Sequence, residues 1–262
     1  MTDHTVKDDW LDAEFSSGGW IESDEDRTFG SAFPDELLIH RGNWRDKIED
    51  RQAVGYMNAG YSSEPFNQER ESSCVYNAAA GCLQLVRNFN LGRSHEVILS
   101  PMSGYCRVAR SRHSGSTMSG ALEETSQYGL LPSSGHGQPG TFRHTFHENA
   151  PFARERQLPN GWKDTARHFR TLEWLRIDDR EQFGSALLQA SPMPICYGRS
   201  GHSIRGDDMV WTRGQFLCRS CNSYGLSGDD GWLYDTERLW AIGGAWACRV
   251  VTLPDDPTRP TE

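Results

Sequence analysis

Cys74 stands in the stretch NQERESSCVYNAAAG, residues 67–81, with Ser72 and Ser73 just ahead of it and Gln68 six residues before it. A cysteine reacts as its thiolate, and a helix N-terminus favours that form because its unpaired N–H groups and dipole attract negative charge. Thiol chemistry also needs a base, a group that orients the base, and donors for an oxyanion. His202 and Asn222 are residues of the first two types, 128 and 148 positions after Cys74, at the start of a strand pattern and at the end of a hairpin pattern. The same cysteine, in a stretch so rich in Ala, Val and Leu, also fits plain core, where a thiol behaves as a small hydrophobe.

These residues need elements to carry them. Ser72 or Ser73 can cap a helix in which Val75, Ala79, Cys82, Leu83 and Val86 recur at helical spacing, and Gly92 ends it. A second helix is predicted over Ser119 to Tyr128, with Gly129 past its end and Pro132 beyond. A third opens at Asp178 with Glu181 three residues on, buries Phe183, Leu187 and Leu188, and stops before Pro192. From Pro192 the runs PICYG, SIRG, MVWT, QFLCRS, GWLYD and AWACRVV alternate with Gly and Asp turn signals and read as an antiparallel, barrel-like sheet. A helical first part and a β second part make an α+β protein with two lobes and a cleft between them.

The spacing of Cys74, His202 and Asn222 matches the roughly 130–150 residues that separate the same types in papain-like enzymes. On these residues the chain resembles the papain family of cysteine peptidases, over about residues 40–252. NSYG at 222–225 is similar to the family's Asn-Ser-Trp-Gly, and GLSGDDGWLYD to the glycine-rich turn and strand after it. GNWRDK at 42–47 resembles the Trp-Arg near the start of the mature enzymes, and ILS at 98–100 with GSTMSGALEETSQYGLLP the end of the helical lobe. The resemblance implies a Cys74–His202–Asn222 triad, with Gln68 and the Cys74 N–H around the oxyanion. It also implies Gly115, Ser116 and Gly201 as substrate-binding positions, with Ser116 in place of the second glycine of a pair. Peptide or protein is then the substrate, and neither metal nor organic cofactor is called for. Two positions depart from the family: Glu71-Ser72-Ser73-Cys74-Val75 replaces Cys-Gly-Ser-Cys-Trp, and Tyr224 replaces a tryptophan. The disulfide of the helical lobe that uses the first cysteine therefore cannot form, which agrees with a reducing, intracellular compartment.

The rest of the chain narrows the function classes. Residues 1–36 hold eleven acidic residues against Lys7 and Arg27, a net charge of -9 that equals that of the whole 262-residue chain. A neutral body with an acidic arm lacks the basic face of a nucleic-acid binder. No apolar run of about 18 residues predicts a membrane span, and no secretory leader is legible at the N-terminus. Seven cysteines are an odd number and too sparse for a disulfide scaffold. Cys218 and Cys221 have a CxxC spacing open to zinc or redox chemistry, but on a strand they face opposite sides and are expected to be reduced and metal-free. Cys82, Cys196 and Cys248 read as core. His144, His147 and Glu148 read as a polar loop, and the pairs Asp207–Asp208 and Asp229–Asp230 as turns.

The expected organisation is an extended arm over 1–38, a catalytic domain over 39–252 and a frayed tail over 253–262. Within the domain the helical lobe covers about 70–135 and the β lobe about 150–252. The arm carries Trp10, Phe15, Trp20, Phe29 and Phe33, too aromatic for a solvated tail. It is expected to lie along the protein or a neighbouring subunit, anchored by Trp10 and Trp20, without an inhibitory helical prodomain. Deleting 1–36 is then expected to leave the body folded and weaken any assembly. Two other readings share these residues: a catalytically silent domain in a larger assembly such as a virus particle, and a triad making another acyl transfer, such as deamidation or transglutamination.

Overall fold

The computed structural model describes residues 19–21, 23–53, 61, 66–69, 71–92, 97–133, 141–143, 151–199, 201–223, 232–240 and 244–253. Trp10, Phe15, His144, His147, Glu148, Tyr224, Asp229, Asp230 and the tail after Leu253 lie outside them. In chain order the elements are β1 (Trp20–Ile21), β2 (Ser31–Ala32), α1 (Trp44–Ala53), α2 (Cys74–Asn90), β3 (Leu99–Ser100), α3 (Pro101–Val108), β4 (Ser116–Thr117), α4 (Met118–Tyr128) and β5 (Leu131–Pro132). There follow α5 (Phe152–Glu155), α6 (Trp162–Ala166), β6 (Thr171–Arg176), α7 (Arg180–Leu187), β7 (Ile195–Arg199), β8 (His202–Thr212), β9 (Gln215–Cys221), β10 (Trp232–Thr236) and β11 (Ala245–Val251). The fold is α+β. Among the described residues, no helix is long and apolar enough to cross a membrane.

Helix α2 runs through the middle of the molecule. Its residues from Cys74 to Asn88 are buried all round, so it must satisfy its polar side chains internally. Gln84 Oε1 accepts from the Leu99 N–H at 2.9 Å, and Arg87 donates to the Thr252 carbonyl at 3.0 Å. Ser73 is the N-cap residue, but its hydroxyl caps no N–H of the first turn. It accepts instead from Asn77 Nδ2 at 3.0 Å. Helices α3 and α4 pack on α2, with Tyr76, Leu83, Met102, Tyr105, Leu122 and Phe169 in a shared core. Helix α4 stops at Gly129, whose φ of 77° suits a residue without Cβ.

The β lobe is a seven-stranded sheet in the order β10-β9-β8-β7-β11-β6-β2. All pairs are antiparallel except β2–β6, which is parallel. No described pairing joins β10 to β2, so the sheet stays open instead of closing into a barrel. Its second core holds Trp44 of α1 edge-on to Phe216 at 5.1 Å, and Phe183 of α7 stacked on Trp240 at 4.6 Å. Helix α7 is capped one turn position later than Asp178–Glu181 suggested. Asp178 is held by Arg176 at 2.8 Å, so Asp179 accepts from the Gln182 N–H at 2.8 Å, and Gln182 Oε1 accepts from the Asp178 N–H at 2.7 Å.

The N-terminal segment is tied to both lobes. Strand β1 pairs in parallel with β4, Asp26 Oδ1 accepts from the Ser119 N–H at 2.7 Å, and the Phe29 carbonyl accepts from Trp246 Nε1 at 3.1 Å. Strand β2 forms the sheet edge on β6, and Phe33 is buried in the β-lobe core. A cut after residue 36 would remove that strand and that side chain. The expectation that the body is indifferent to deletion of 1–36 is corrected accordingly: Phe33 and β2 belong to the body.

Candidate active site

The loop before α2 and the β8–β9 hairpin meet across the cleft. Cys74 is the first residue of α2 and is fully buried. Because the Ser73 hydroxyl is engaged by Asn77, the N–H groups of Cys74 and Val75 are left to the thiol, and the Ser203 N–H reaches it from β8. Ser203 follows His202 directly at the start of β8. His202 Nε2 lies 3.0 Å from Asn222 Oδ1. That oxygen also accepts from the Ser223 N–H at 2.7 Å, which fixes the orientation of the Asn222 amide. An amide oxygen only accepts, so Nε2 carries the ring hydrogen and Nδ1 presents the lone pair.

Gln68 is held on both ends. Its Nε2 donates to the Glu71 carbonyl at 2.7 Å, its Oε1 accepts from the Ser223 hydroxyl, and its N–H donates to the Ser223 carbonyl at 2.7 Å. One N–H of the side-chain amide is therefore used within its own loop, a detail that the residue type alone does not indicate.

The three positions expected to hold substrate hold the chain's own residues 19–21. The Ser116 N–H donates to the Gly19 carbonyl at 2.9 Å, and the Trp20 N–H donates to the Gly201 carbonyl at 3.1 Å. Gly115 packs on the same segment, its Cα side facing the Gly19 carbonyl and Ile21. A Cβ built on Gly19 would lie 2.6 Å from Cys74 Sγ, so only a glycine lets the backbone pass so close over the thiol. The Trp20 indole packs against Gly198 of β7, which has no side chain to keep it out. Trp20 was expected to anchor the arm on the protein, but the position of Gly19 over the thiol was not, since a two-residue strand leaves no periodic signal.

Burial shifts both Cys74 and His202 towards their neutral forms. It pushes the Cys74 thiol up to about 12, against the pull of the Ser203, Val75 and Cys74 N–H groups. It lowers the His202 imidazole to about 4, against the Asn222 hydrogen bond and with some help from the Arg199 cation. Both shifts oppose separation of charge between the two side chains while they are buried.

The other sequence-level candidates are distributed through the cores. All seven cysteines are reduced and buried. Cys218 faces the core between the sheet and α7, whereas Cys221 faces α2 and lines a small cavity with Asn77 and Ala78. Among the described residues, no group of three or more His, Cys, Asp or Glu side chains could hold a metal ion. Asp207 and Asp208 are not turn residues. They lie within β8, buried, where Asp207 pairs with Arg205 at 2.5 Å and Asp208 with Arg51 at 3.2 Å.

Asp26 adds a test of how the segment is held. Its carboxylate sits at the N-terminus of α4, a placement worth about 1 kcal/mol. Asp26→Asn in the full chain is therefore expected to open the cleft more often and to raise iodoacetamide alkylation of Cys74 by about fivefold. An unchanged rate would show that Asp26 caps α4 without restraining the segment.

No protein-family profile and no curated protein sequence matches the chain, whereas solved structures do. Xylellain, a cysteine protease from Xylella fastidiosa, superposes with a TM-score of 0.58 at 15% identity, over 91% of this chain and 97% of that one. Procathepsin B S9 from Trypanosoma congolense gives 0.58 at 14% identity, over 89% and 86%. A digestive procathepsin L 3 from the larval midgut of Tenebrio molitor gives 0.54 at 14% identity over 72% of this chain, which spans 66% of that protein. At such identities the likeness concerns the fold. With a buried cysteine-led helix packed against an open, mostly antiparallel sheet, the chain has the papain-like fold.

Proposed function

We propose that this chain is a thiol hydrolase that cleaves peptide bonds through Cys74, His202 and Asn222, and that residues 19–21 cover its cleft in the conformation described. One observation carries the reading. An extended polypeptide backbone lies over Cys74 Sγ, held by the Ser116 N–H and the Gly201 carbonyl. A cleft that binds main chain in this way suits a peptide substrate, and it places that main chain against the nucleophile.

In the open cleft, the Cys74 proton moves to His202 Nδ1 and the thiolate attacks the substrate carbonyl carbon. The C=O pair moves onto oxygen, where the Cys74 N–H and the Gln68 amide donate to it. Collapse of the adduct breaks the C–N bond, and His202 returns its proton to the leaving amine. Water, deprotonated by His202, then attacks the thioester and releases the acid with the thiol restored. Asn222 keeps the hydrogen on Nε2 throughout, so Nδ1 remains the working nitrogen.

The burial of Cys74 and His202, which shifts both towards their neutral forms, favours a second reading, in which the domain is catalytically silent and serves an assembly. Deamidation or transglutamination would use the same triad with another acceptor. The test is turnover of a peptide anilide by protein lacking residues 1–22, with Cys74→Ala as the control. Turnover that requires Cys74 supports the peptidase. Its absence, with a thiol that epoxysuccinyl and iodoacetamide probes label no faster than free cysteine, supports the silent domain.

A further inference from the structure

Glu71 is a buried acid within the loop that carries Gln68 and Cys74, and nothing in the chemistry above uses it. Its Oε1 pairs with Arg112 Nη1 at 3.2 Å, with the acid side chain 4% and the arginine side chain 17% exposed. The main chain doubles the connection: the Ser72 N–H donates to the Arg112 carbonyl at 2.9 Å, and Tyr105 Oη donates to the same carbonyl at 3.0 Å. On the other side, the Glu71 carbonyl accepts from Gln68 Nε2 at 2.7 Å and the Glu71 N–H donates to the Gln68 carbonyl at 3.1 Å. Arg112 lies in the loop that runs into Gly115 and Ser116, where the Ser116 N–H holds polypeptide main chain at 2.9 Å.

We propose that the Glu71–Arg112 ion pair is a positioning device that sets the Gln68 amide relative to the main-chain site at Ser116. The proposal rests on the peptidase reading above. Position 71 is also where the resemblance would put a cysteine, so a charge pair here ties the thiol-bearing loop to the substrate-holding loop without a covalent link. A buried pair of this kind is costly to break on one side, because the remaining charge stays desolvated. Its geometry therefore passes to whatever its backbone holds. Glu71 turns its carbonyl to Gln68, and rotation of that residue would swing the Gln68 N–H away from the oxyanion. Arg112 suits the role better than lysine would, since its planar fork can hold a carboxylate while the backbone beside it is engaged. Neither residue touches substrate, so both act through Gln68.

The effect should fall on the transition state, because the oxyanion exists only there. The experiment uses the full chain carrying Trp20→Ala, which takes the indole off Gly198, and measures peptide kcat and KM, iodoacetamide alkylation of Cys74 and the melting midpoint. Glu71→Gln is nearly isosteric and is expected to lower kcat about tenfold, with KM changed less than about twofold and alkylation unchanged. Arg112→Met should do the same, and Arg112→Lys should recover part of the loss. In a Gln68→Ala background, Glu71→Gln should add less than about twofold, since both changes remove one donor. A full tenfold further loss in that background would overturn the proposal, as would an unchanged kcat in Glu71→Gln or alkylation that falls in step with kcat. If neither the full chain carrying Trp20→Ala nor the protein lacking residues 1–22 turns over peptide, the peptidase reading fails and this proposal with it. If the parent is active and only the Glu71 and Arg112 variants behave otherwise, the positioning role alone fails.

Discussion

Protein lacking residues 1–22 is expected to be alkylated at Cys74 roughly 50-fold faster than the full chain at pH 7. The covered thiol is pushed up to about 12 from an ordinary value of 9.0, chiefly by burial. Uncovering it restores about three powers of ten in thiolate fraction, and the lower basicity of the freed thiolate returns a little under half of that gain on a logarithmic scale. Access to the sulfur adds to the effect, because the Gly19 backbone no longer lies over it. The cut spares Asp26, Phe29, β2 and Phe33, which belong to the two lobes. A cut after residue 36 is expected to behave differently. It strips the edge strand and buried Phe33, a loss of roughly 3–5 kcal/mol for such a side chain, which is a large part of an ordinary domain's stability. Stopped-flow alkylation and thermal melting of the two truncations separate these outcomes. Equal alkylation rates in the full chain and the 1–22 deletion would show that the segment does not control the thiol.

His202→Ala, made in the protein freed of residues 1–22, is expected to lower kcat/KM by about three orders of magnitude, within the range for loss of a general base. Asn222→Ala should cost less, since the base remains but its tautomer is no longer fixed by Oδ1. The same histidine gives a pH signature. Burial depresses its value from 6.5 to about 4 in the covered state. The covered state therefore binds fewer protons than the open state between those values. Its advantage is fully present above about pH 6.5 and is lost as pH falls through 4, by roughly 3 kcal/mol at the limit. Cys74 acts at the other end, where covering is disfavoured as pH rises from 9 towards 12. The full chain should thus be most tightly covered between about pH 6.5 and 9 and should open in acid. Histidine Cε1–H resonances followed against pH check this directly. A His202 that titrates near 6.5 in the full chain would remove the basis for acid opening.

The residues of the proposed site were chosen without coordinates. Cys74, His202 and Asn222 are distinguished by type, order and separation, and the elements that carry them follow from local rules. A serine-led apolar helix ending at Gly92, a helix stopped by Gly129 and a run of strands after Pro192 each depend on neighbours a few residues away. The Asp178–Glu181 reading missed its cap by one residue for the same reason: whether Asp178 or Asp179 caps is decided by Arg176, whose side chain reaches Asp178. What lay beyond the sequence was every feature made by segments far apart in the chain. Gly19 over the thiol, Asp26 on the end of α4, Phe33 in the β-lobe core and Glu71 against Arg112 join stretches with no common period. The hydrogen-bonding groups at the thiol and around residues 19–21 are backbone N–H groups of Ser203 and Ser116 and the backbone C=O of Gly201, which nearly every residue type carries alike. Residue identities therefore sufficed for the chemistry that the side chains could perform. The covered state, with both groups shifted towards their neutral forms, required the tertiary structure, because desolvation depends on what packs over a group and not on what the group is.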